Sequence, residues 1–455
     1  MSLPSAVLEG NLRRFVGFRV FFNARFYYPV FTILYLDYGL SLEQFAILNL
    51  VWALTIVLAE VPSGALADMI GRKRLLVFAA ILMFIEMALL VLVPVGPSTL
   101  LFVIFFIDRV FSGLAEAAAS GADEALAYDS LKALGREDEW ARLLEKTTRY
   151  LSIAFFATMI TGALAFDASF INAVLGHLNL SWEVSPETSI RFPIILTWIT
   201  SCIVLYLTLT MRELPPERAS ESLPPSARPP FWKRLGRPFR QILGAARWTL
   251  NHRFVLLVIL AALALDSVAR QFVILASEYY RLIDIPPASF GFIGAGMSLL
   301  GIVNARLSRY LVTHRSPLFN YLLLSAILMT GLIGILFTLP WFGVIFATGA
   351  FSMMGFVTYQ SSYYLNREVD SAQRATVLSF RGLALNLGLG LASLFYTGLI
   401  AALKAVQSGE LSPEALQESV FIDSLKAFPL YFLALFFSVL LIASKWPQRQ
   451  TQPAS

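Results

Sequence analysis

Charged residues are scarce in this chain. Asp, Glu, Lys and Arg make up 14% of its 455 residues, whereas soluble proteins carry about 25%. A set of soluble domains of this total length would need many more charges on its surface. Hydrophobic residues reach 57%, which indicates that lipid rather than water surrounds much of the molecule.

Cysteine and histidine are scarcer still. The single cysteine, Cys202, excludes an internal disulfide. The three histidines, His177, His252 and His314, lie far apart in the sequence, so the sequence predicts neither a metal site nor a nucleophile paired with a histidine. We therefore expect no cofactor, no metal ion and no enzymatic activity.

Long apolar runs recur from one end of the chain to the other. A hydrocarbon core of about 30 Å requires roughly twenty apolar residues per helix. Twelve such runs cover residues 15–36, 42–66, 75–95, 98–120, 150–166, 190–211, 254–280, 289–312, 318–339, 341–365, 375–403 and 425–444. The first run contains Arg19 and Arg25 and lacks a small-residue cleavage pattern, so we expect it to remain as a helix. The sequence predicts an all-α integral membrane protein.

Cations are distributed asymmetrically between these runs. The amino-terminal tail and every second connection after it hold most of the 35 Lys and Arg residues. Because cations near helix ends resist translocation, this side is predicted to be the cytoplasm, with both termini on it. The net charge of +5 reflects this asymmetry, so we predict no nucleic-acid partner. We expect a multi-pass monomer in a bacterial inner membrane.

One connection, residues 212–253, is long and rich in Pro, Ser and charge. It divides the chain into a predicted six-helix bundle at 1–211 and another at 254–455. Between Trp232 and Leu250, apolar residues recur at three- and four-residue steps with cations between them. This pattern is typical of a basic helix on an anionic lipid leaflet. A solvated linker that Pro238 interrupts is the alternative.

A charged interruption separates the second and third runs. It reads SGALADMIGRKRLL and contains Gly64, Asp68, Gly71, Arg72, Lys73 and Arg74. It resembles the loop signature of the major facilitator superfamily in residue type, spacing, span number and predicted side. A plain cytoplasmic loop would explain the cations but not the aspartate or the glycines. The resemblance implies twelve helices in two six-helix bundles and transport by alternating access.

The resemblance also implies a conformational latch made of Gly64, Asp68, Gly71 and Arg72. Gly64 would let a neighbouring helix approach closely, and Gly71 would supply a tight turn. Asp68 would pair with Arg72 and face the amino-terminal end of the eleventh helix, whose partial positive charge favours a carboxylate. The second half lacks an intact copy, because Ala305 stands where the aspartate would fall.

Charges inside the predicted spans are costly in lipid and are expected to face protein or a watery cavity. In the fourth span, Asp108, Ser112 and Glu116 recur at four-residue steps and share one helical face, which Asp123 is expected to continue towards the cytoplasm. Arg109 precedes Gly113 by four residues, which resembles a fourth-span motif of the superfamily whose arginine is linked to proton coupling. Glu116, Asp108 and Arg109 are therefore candidates for proton coupling, with structural ion pairing as the alternative.

Further acids lie in the third and seventh spans. Asp266 and Arg270 of the seventh span are four residues apart and can neutralise each other. They are also candidates for proton coupling. Glu86 of the third span is expected to be paired or protonated.

Helices one, four, seven and ten line the cavity in the superfamily. The resulting candidates for contact with substrate, together with one acid of the second span, are Asn23, Arg25, Tyr27, Tyr28, Glu60, Ser112, Tyr359 and Gln360. A continuous first helix would place Asn23 and Tyr27 on one face. It would place Arg25 and Tyr28 on another, with a kink at Pro29.

The resemblance favours a secondary active transporter of small organic solutes. An aromatic content of 13% and acids in the cavity suit amphipathic, often cationic, substrates that leave the cell in exchange for protons. The fifth span lacks the Gly-Pro pair of many antiporters in the superfamily, which weakens the case for export. Proton-coupled nutrient uptake and a non-transporting scaffold or lipid-moving relative are the alternatives. The predicted partners are the substrate, protons and membrane lipids.

Overall fold

The fold is helical throughout the described part of the chain. A computed structural model describes residues 4–214, 231–369, 371–407 and 412–445. Most of these residues lie in helices, and none of them forms a strand. The predicted all-α fold is confirmed. The segment 215–230 of the predicted linker lies outside the described residues.

The α-helices of the described residues follow one another with short connections. In chain order they are α1 (Ser5–Phe22), α2 (Phe31–Tyr38), α3 (Leu42–Ile70), α4 (Arg72–Leu92), α5 (Thr99–Ala119), α6 (Ala122–Ala133), α7 (Trp140–Phe166), α8 (Ala168–His177), α9 (Pro186–Ser189), α10 (Phe192–Thr210), α11 (Phe231–Asn251), α12 (Arg253–Leu282), α13 (Pro287–His314), α14 (Pro317–Gly334), α15 (Gly343–Glu368), α16 (Ser371–Gln407), α17 (Pro413–Leu425) and α18 (Ala427–Lys445).

Nine helical segments of the described residues are long and apolar enough to cross a membrane. Three predicted spans fall outside this set for local reasons. The first is divided between α1 and α2, and α5 carries Asp108, Arg109 and Glu116. The tenth, α15, is rich in Ser, Thr and Tyr. Apart from the interrupted first span, the predicted runs coincide with helical backbone within a few residues.

The chain folds into two compact units. The first comprises Met1–Arg240 and Ile274–Leu299, and the second comprises Gln241–Val273 and Leu300–Ser455. The division therefore falls within α12 and within α13. The bundle boundaries placed at residues 211 and 254 stay a prediction.

Each unit is built around its own apolar core. In the first unit α4 packs on α5 and α10, and small side chains such as Ala115 let the helices approach. Phe18 and Met83 are buried in this core. In the second unit α14 packs on α15, and Val312 and Leu365 belong to the core.

The first predicted span is interrupted rather than continuous. α1 ends at Phe22, a 3₁₀ turn covers Tyr28–Val30, and α2 begins at Phe31. The kink predicted at Pro29 is therefore a complete break that starts at Asn23. The two faces predicted for a continuous helix are wrong, because the side chains between the helices do not follow helical spacing.

Neighbouring helices satisfy the backbone groups that the break sets free. An unpaired peptide group in lipid costs several kcal/mol. The Phe26 N–H donates to the hydroxyl of Thr197 in α10 at 3.1 Å. The N–H groups of Thr32 and Ile33 donate to the hydroxyl of Ser277 in α12 at 2.9 and 3.2 Å. Helices distant in sequence thus support the interruption.

A glycine of α7 also packs against the break. Gly162 lies so close to the carbonyl oxygen of Phe26 that an added Cβ would collide with it. The backbones of α7 and of the interruption are therefore in direct contact, as small residues permit in membrane proteins.

We expect Gly162→Ala to lower the free energy of unfolding by about 1–3 kcal/mol, because overpacking forces the backbone to shift. Thermal unfolding of the purified protein in detergent measures the effect. Gly296→Ala in α13 is the matched control, since a Cβ there would meet no described atom within 4 Å. Equal stability of the two variants would contradict the close contact.

Candidate functional site

An arginine released by the break forms a buried ion pair. Arg25 Nη1 lies 2.8 Å from Glu86 Oε1 of α4. Arg25 is 3% exposed and Glu86 is 0% exposed. The guanidinium also lies over the ring of Phe22 at 5.4 Å. Charges removed from water must be compensated, and this pair does so. The pairing expected for Glu86 is confirmed, and its partner comes from the interrupted first span.

A second buried network joins α2 to α5. Arg109 Nε lies 3.1 Å from Asp108 Oδ2, and the Tyr35 hydroxyl lies 3.2 Å from the same oxygen. Arg109 also donates to the Tyr35 hydroxyl, which can pass a hydrogen bond on to Asp108. The guanidinium stacks over the rings of Phe31 and Tyr35 at 5.2 and 5.1 Å. Arg109 and Asp108 are therefore partners of each other.

Gly113 explains why these residues can lie so close to α3. A Cβ at this position would lie 2.8 Å from Thr55 Cβ and 3.2 Å from the Trp52 carbonyl oxygen. Only glycine allows this approach of α5 to α3. The spacing from Arg109 to Gly113 thus connects the charged network to a helix contact.

Glu116 differs from the other acids of α5. Its side chain is exposed, and no described residue forms an ion pair with it. Arg25 and Arg19 are the cations that act on it electrostatically. Glu116 is therefore a carboxylate near two arginines that is free to gain or lose a proton without breaking a direct contact.

The polar face predicted along the fourth span ends at a second interruption. α5 stops at Ala119, and Gly121 has φ of 75° before α6 begins. Asp123 consequently lies in α6, where Arg19 Nη1 approaches its Oδ2 at 3.2 Å. Asp108, Ser112 and Glu116 stay on α5, but Asp123 does not continue their helix.

The remaining cavity candidates of the first unit differ in exposure. Tyr28 is 46% exposed, and Tyr27 is buried against it with ring centroids 5.4 Å apart. The Asn23 amide donates to the carbonyl of Arg19 at 2.8 Å and so serves the end of α1. Ser112 is buried, and Glu60 lies half-buried in α3. Tyr28 is thus the most accessible of these aromatic groups.

The loop between α3 and α4 carries a network of its own. Arg72 pairs with Asp129 of α6 and donates to the Ala125 carbonyl at 3.0 Å. The Glu213 carboxylate accepts the N–H groups of Arg72 and Lys73 at 3.1 and 2.8 Å. It therefore lies at the positive end of the α4 dipole, where an anion is favoured.

Gly71, between α3 and α4, and Gly64, inside α3, have different surroundings. Gly71 has φ of 101°, and a Cβ there would lie 2.5 Å from Glu213 Oε2. The close helix approach expected at Gly64 is absent, since a Cβ there would meet no described atom within 4 Å. The side chain of Asp68 lies outside the described residues. Its pairing with Arg72 and the latch role stay predictions.

The second unit contains another charged cluster. Arg270 pairs with Asp266 one turn earlier in α12, and its Nη1 donates to Asn386 Oδ1 of α16 at 3.0 Å. Arg381 of α16 donates to the Ser361 hydroxyl at 3.1 Å. The pairing that the sequence allowed for Asp266 and Arg270 is therefore present.

Two candidates of the tenth span lie in α15. Gln360 is buried, and neither atom of its side-chain amide has a hydrogen-bond partner among the described residues. Tyr359 is half-buried beside the apolar core of the second unit. The described part of the chain contains no group of three His, Cys, Asp or Glu residues that could hold a metal ion.

Comparison with known proteins decides the family. The family model described as Major Facilitator Superfamily matches residues 15–393. The chain belongs to the major facilitator superfamily. No curated protein sequence matches it significantly. As a member of this superfamily, it is a multi-pass membrane transporter of small molecules.

Solved superfamily structures share its fold. A bacterial homologue of the human lysosomal transporter Spinster, in an inward-facing and unoccupied conformation, is 16% identical with a TM-score of 0.65, covering 99% of each chain. The nucleoside transporter NupG is 14% identical with a TM-score of 0.65, covering 97% of this chain and 100% of its own. A D-xylose–proton symporter is 12% identical with a TM-score of 0.59, covering 98% and 99%. At these identities the likeness shows the fold alone.

Several site residues of this superfamily member escaped sequence reasoning. Tyr35 lies in an aromatic run, so nothing in the sequence distinguishes it from a packing residue. Arg381 lies inside the predicted eleventh span. The expectation that a charged residue inside an apolar span faces protein or a watery cavity would have identified it. Asp129 and Glu213 lie in predicted connections, where acids are common.

We expect Glu86→Gln to lower the free energy of unfolding by about 3–5 kcal/mol, since Arg25 would stay buried without its counter-charge. Replacing both partners, with Arg25→Met and Glu86→Leu, should recover most of the loss. Thermal unfolding in detergent measures both effects. Glu183→Gln at an exposed loop position is the control. A single variant as stable as this control would contradict the buried pair.

Proposed function

We propose that this transporter is secondary active and exports amphipathic organic solutes in exchange for protons. The proposal rests on Glu116, the acid of α5 that has no ion-pair partner among the described residues. Proton coupling requires a carboxylate whose charge can change during the cycle, and a group locked in a buried pair is poorly suited to that.

The surrounding charges support this role. An ionised Glu116 is attracted to Arg25 and Arg19, and protonation removes the attraction. Arg25 has its own partner in Glu86, at 2.8 Å. A proton on Glu116 can thus change the local field while the buried ion pair stays intact.

Alternating access supplies the cycle. We infer that Glu116 is protonated when the cavity opens to a more acidic outside and releases its proton when the cavity opens to the cytoplasm. The substrate travels in the opposite direction. The exposed ring of Tyr28, with the neighbouring rings of Tyr27 and Phe31, suits an amphipathic solute.

The first test concerns coupling. A ligand panel on the purified protein, read by thermal shift, supplies a transported compound for proteoliposomes. Glu116→Gln should abolish its pH-gradient-driven flux, because a neutral amide cannot carry the proton, and should preserve binding and energy-independent exchange. Asp108→Asn should have a weaker effect.

Glu137→Gln in the exposed segment before α7 is the matched control for coupling and should transport like the wild type. Normal gradient-driven flux through Glu116→Gln would refute the proposal. Loss of folding in that variant would instead favour a structural role. If the solute and the proton cross the membrane in the same direction, the protein is a proton-coupled uptake system and not an exporter.

The second test concerns the latch. If Asp68 stabilises the outward-open state, Asp68→Asn should shift the population inward and reduce transport at normal expression. Tyr28→Cys in a Cys202→Ser background reports this through labelling with an impermeant reagent from each side. An unchanged labelling ratio together with full transport would remove the latch role.

The membrane arrangement completes the proposal. We infer that both termini are cytoplasmic in a bacterial inner membrane and that the protein is a monomer. The backbone from Phe231 to Asn251 is helical, as α11. This supports a basic helix on the anionic leaflet between Trp232 and Leu250. The side chains of residues 231–239 lie outside the described residues.

A further inference from the structure

In the described part of the chain, both units contain buried polar atoms that lack a hydrogen-bond partner, and one set in the second unit includes a cation. Among the described residues, no hydrogen-bond partner exists for the buried amide of Gln360, the hydroxyl of Tyr321 or Nε of Arg381. Such groups are rare in folded proteins, because each loses its hydration without compensation. All three can donate a hydrogen bond. These three groups therefore require a hydrogen-bond acceptor.

Arg381 is the cation among these groups. Arg381 Nη1 lies 3.1 Å from the Ser361 hydroxyl, next in the chain to Gln360, and 3.5 Å from the Thr358 carbonyl oxygen. Tyr321 and Asp266 are the groups that act on it electrostatically. Helices α12, α14, α15 and α16 thus contribute to a single polar cluster.

The cluster holds more positive than negative charge. Asp266 is the carboxylate, and it is already paired with Arg270. Arg381 contacts neutral oxygens, and no carboxylate of the described residues pairs with it. It lies in the apolar stretch 376–407, where an uncompensated cation is costly. A bound anion would balance the charge of Arg381 and accept hydrogen bonds from the unsatisfied donors.

We propose that Arg381 binds an anionic group of the transported solute, so that the substrate is an organic anion bearing a carboxylate, sulfonate or phosphate. This inference rests on the proposed transport function. It replaces the cationic substrate class that the acids of the sequence favoured. The planar fork of arginine matches two oxygens of such a group, and Gln360 and Tyr321 supply further donors.

The rings near the cluster indicate the rest of the solute. Tyr321 lies 6.1 Å from Tyr364, which lies 5.7 Å from Tyr363, measured between ring centroids. The faces of tyrosine rings bind apolar or aromatic groups of a solute, and the tyrosine hydroxyls can bind a polar edge of the same solute. The solute expected at Arg381 is therefore an acid with an apolar or aromatic body.

Binding to the purified full-length protein tests the proposal. The probes are 2-naphthoate, 2-naphthalenesulfonate and 2-naphthyl phosphate, with 2-naphthamide and 2-naphthylmethylammonium as neutral and cationic matches. We expect the anions to raise the melting temperature of the wild type more than the neutral and cationic compounds do. Arg381→Gln should weaken the best anion about tenfold or more, whereas Arg381→Lys should retain part of the affinity.

Arg309→Gln, at an exposed position of α13, is the matched control and should bind like the wild type. Equal binding by Arg381→Gln would overturn the inference, as would preference for the cationic probe or no response to any anion. Binding requires neither flux nor a proton gradient. A failure of anion binding therefore refutes only the role of Arg381. Normal gradient-driven flux through Glu116→Gln refutes only the proposed coupling.

A measurement without ligand separates anion binding from a structural role. If Arg381 lacks a counter-charge in the empty protein, Arg381→Leu should raise the melting temperature, because an uncompensated cation is removed from an apolar span. A residue needed to hold α15 against α16 would instead lower it. A lower melting temperature together with unchanged anion binding would assign Arg381 to the framework.

Discussion

Compensation of buried charge is the constraint on which this transporter depends. An ion withdrawn from water into a helix bundle is tolerated only when an opposite charge and good hydrogen bonds replace its hydration. Arg25 with Glu86, and Arg109 with Asp108 and Tyr35, pair opposite charges within the first unit, while Glu86 Oε2 and Asp108 Oδ1 have no hydrogen-bond partner among the described residues. Arg25 joins the interruption to α4 through Glu86, and Tyr35 joins α2 to α5 through Asp108, so these contacts also help to position α2, α4 and α5.

Against this background the two uncompensated charges stand out. Glu116 belongs to the first unit and Arg381 to the second, and each has polar neighbours without a direct ionic partner among the described residues. The ion pairs of Arg25, Arg109 and Arg270 leave Glu116 and Arg381 without a direct counter-charge among the described residues. Reversible ligands, a proton for one and a solute anion for the other, are a consistent explanation.

Much of the fold follows from the sequence because hydropathy and cation placement are local signals. The apolar runs correctly located the helices, and the loop signature around Gly71 pointed to the superfamily. The interruption between Phe22 and Phe31 could not be predicted in the same way. Its apolar pattern continues unbroken, and what stabilises it are hydroxyl groups of Thr197 and Ser277, far away in the chain.

The candidate site was predictable to a lesser degree. Charged residues in apolar runs identified Asp108, Glu116 and Asp266, because their cost in lipid can be read from the sequence. The ion-pair partners of these residues depend on proximity in three dimensions, which the sequence does not reveal. Arg25 meets Glu86 only because the helix breaks before it. At Gly64, by contrast, residue type suggested a helix contact, but an added Cβ would meet no atom of the described residues within 4 Å.

The contact of Glu213 with the start of α4 has a consequence for biosynthesis. The N–H groups of Arg72 and Lys73 belong to the first turn of α4, yet their acceptor is more than a hundred residues downstream. Domains generally form in order during synthesis, beginning at the amino terminus. The start of α4 is therefore synthesised before its acceptor, and Glu213 can accept these hydrogen bonds only after α10 has been translated.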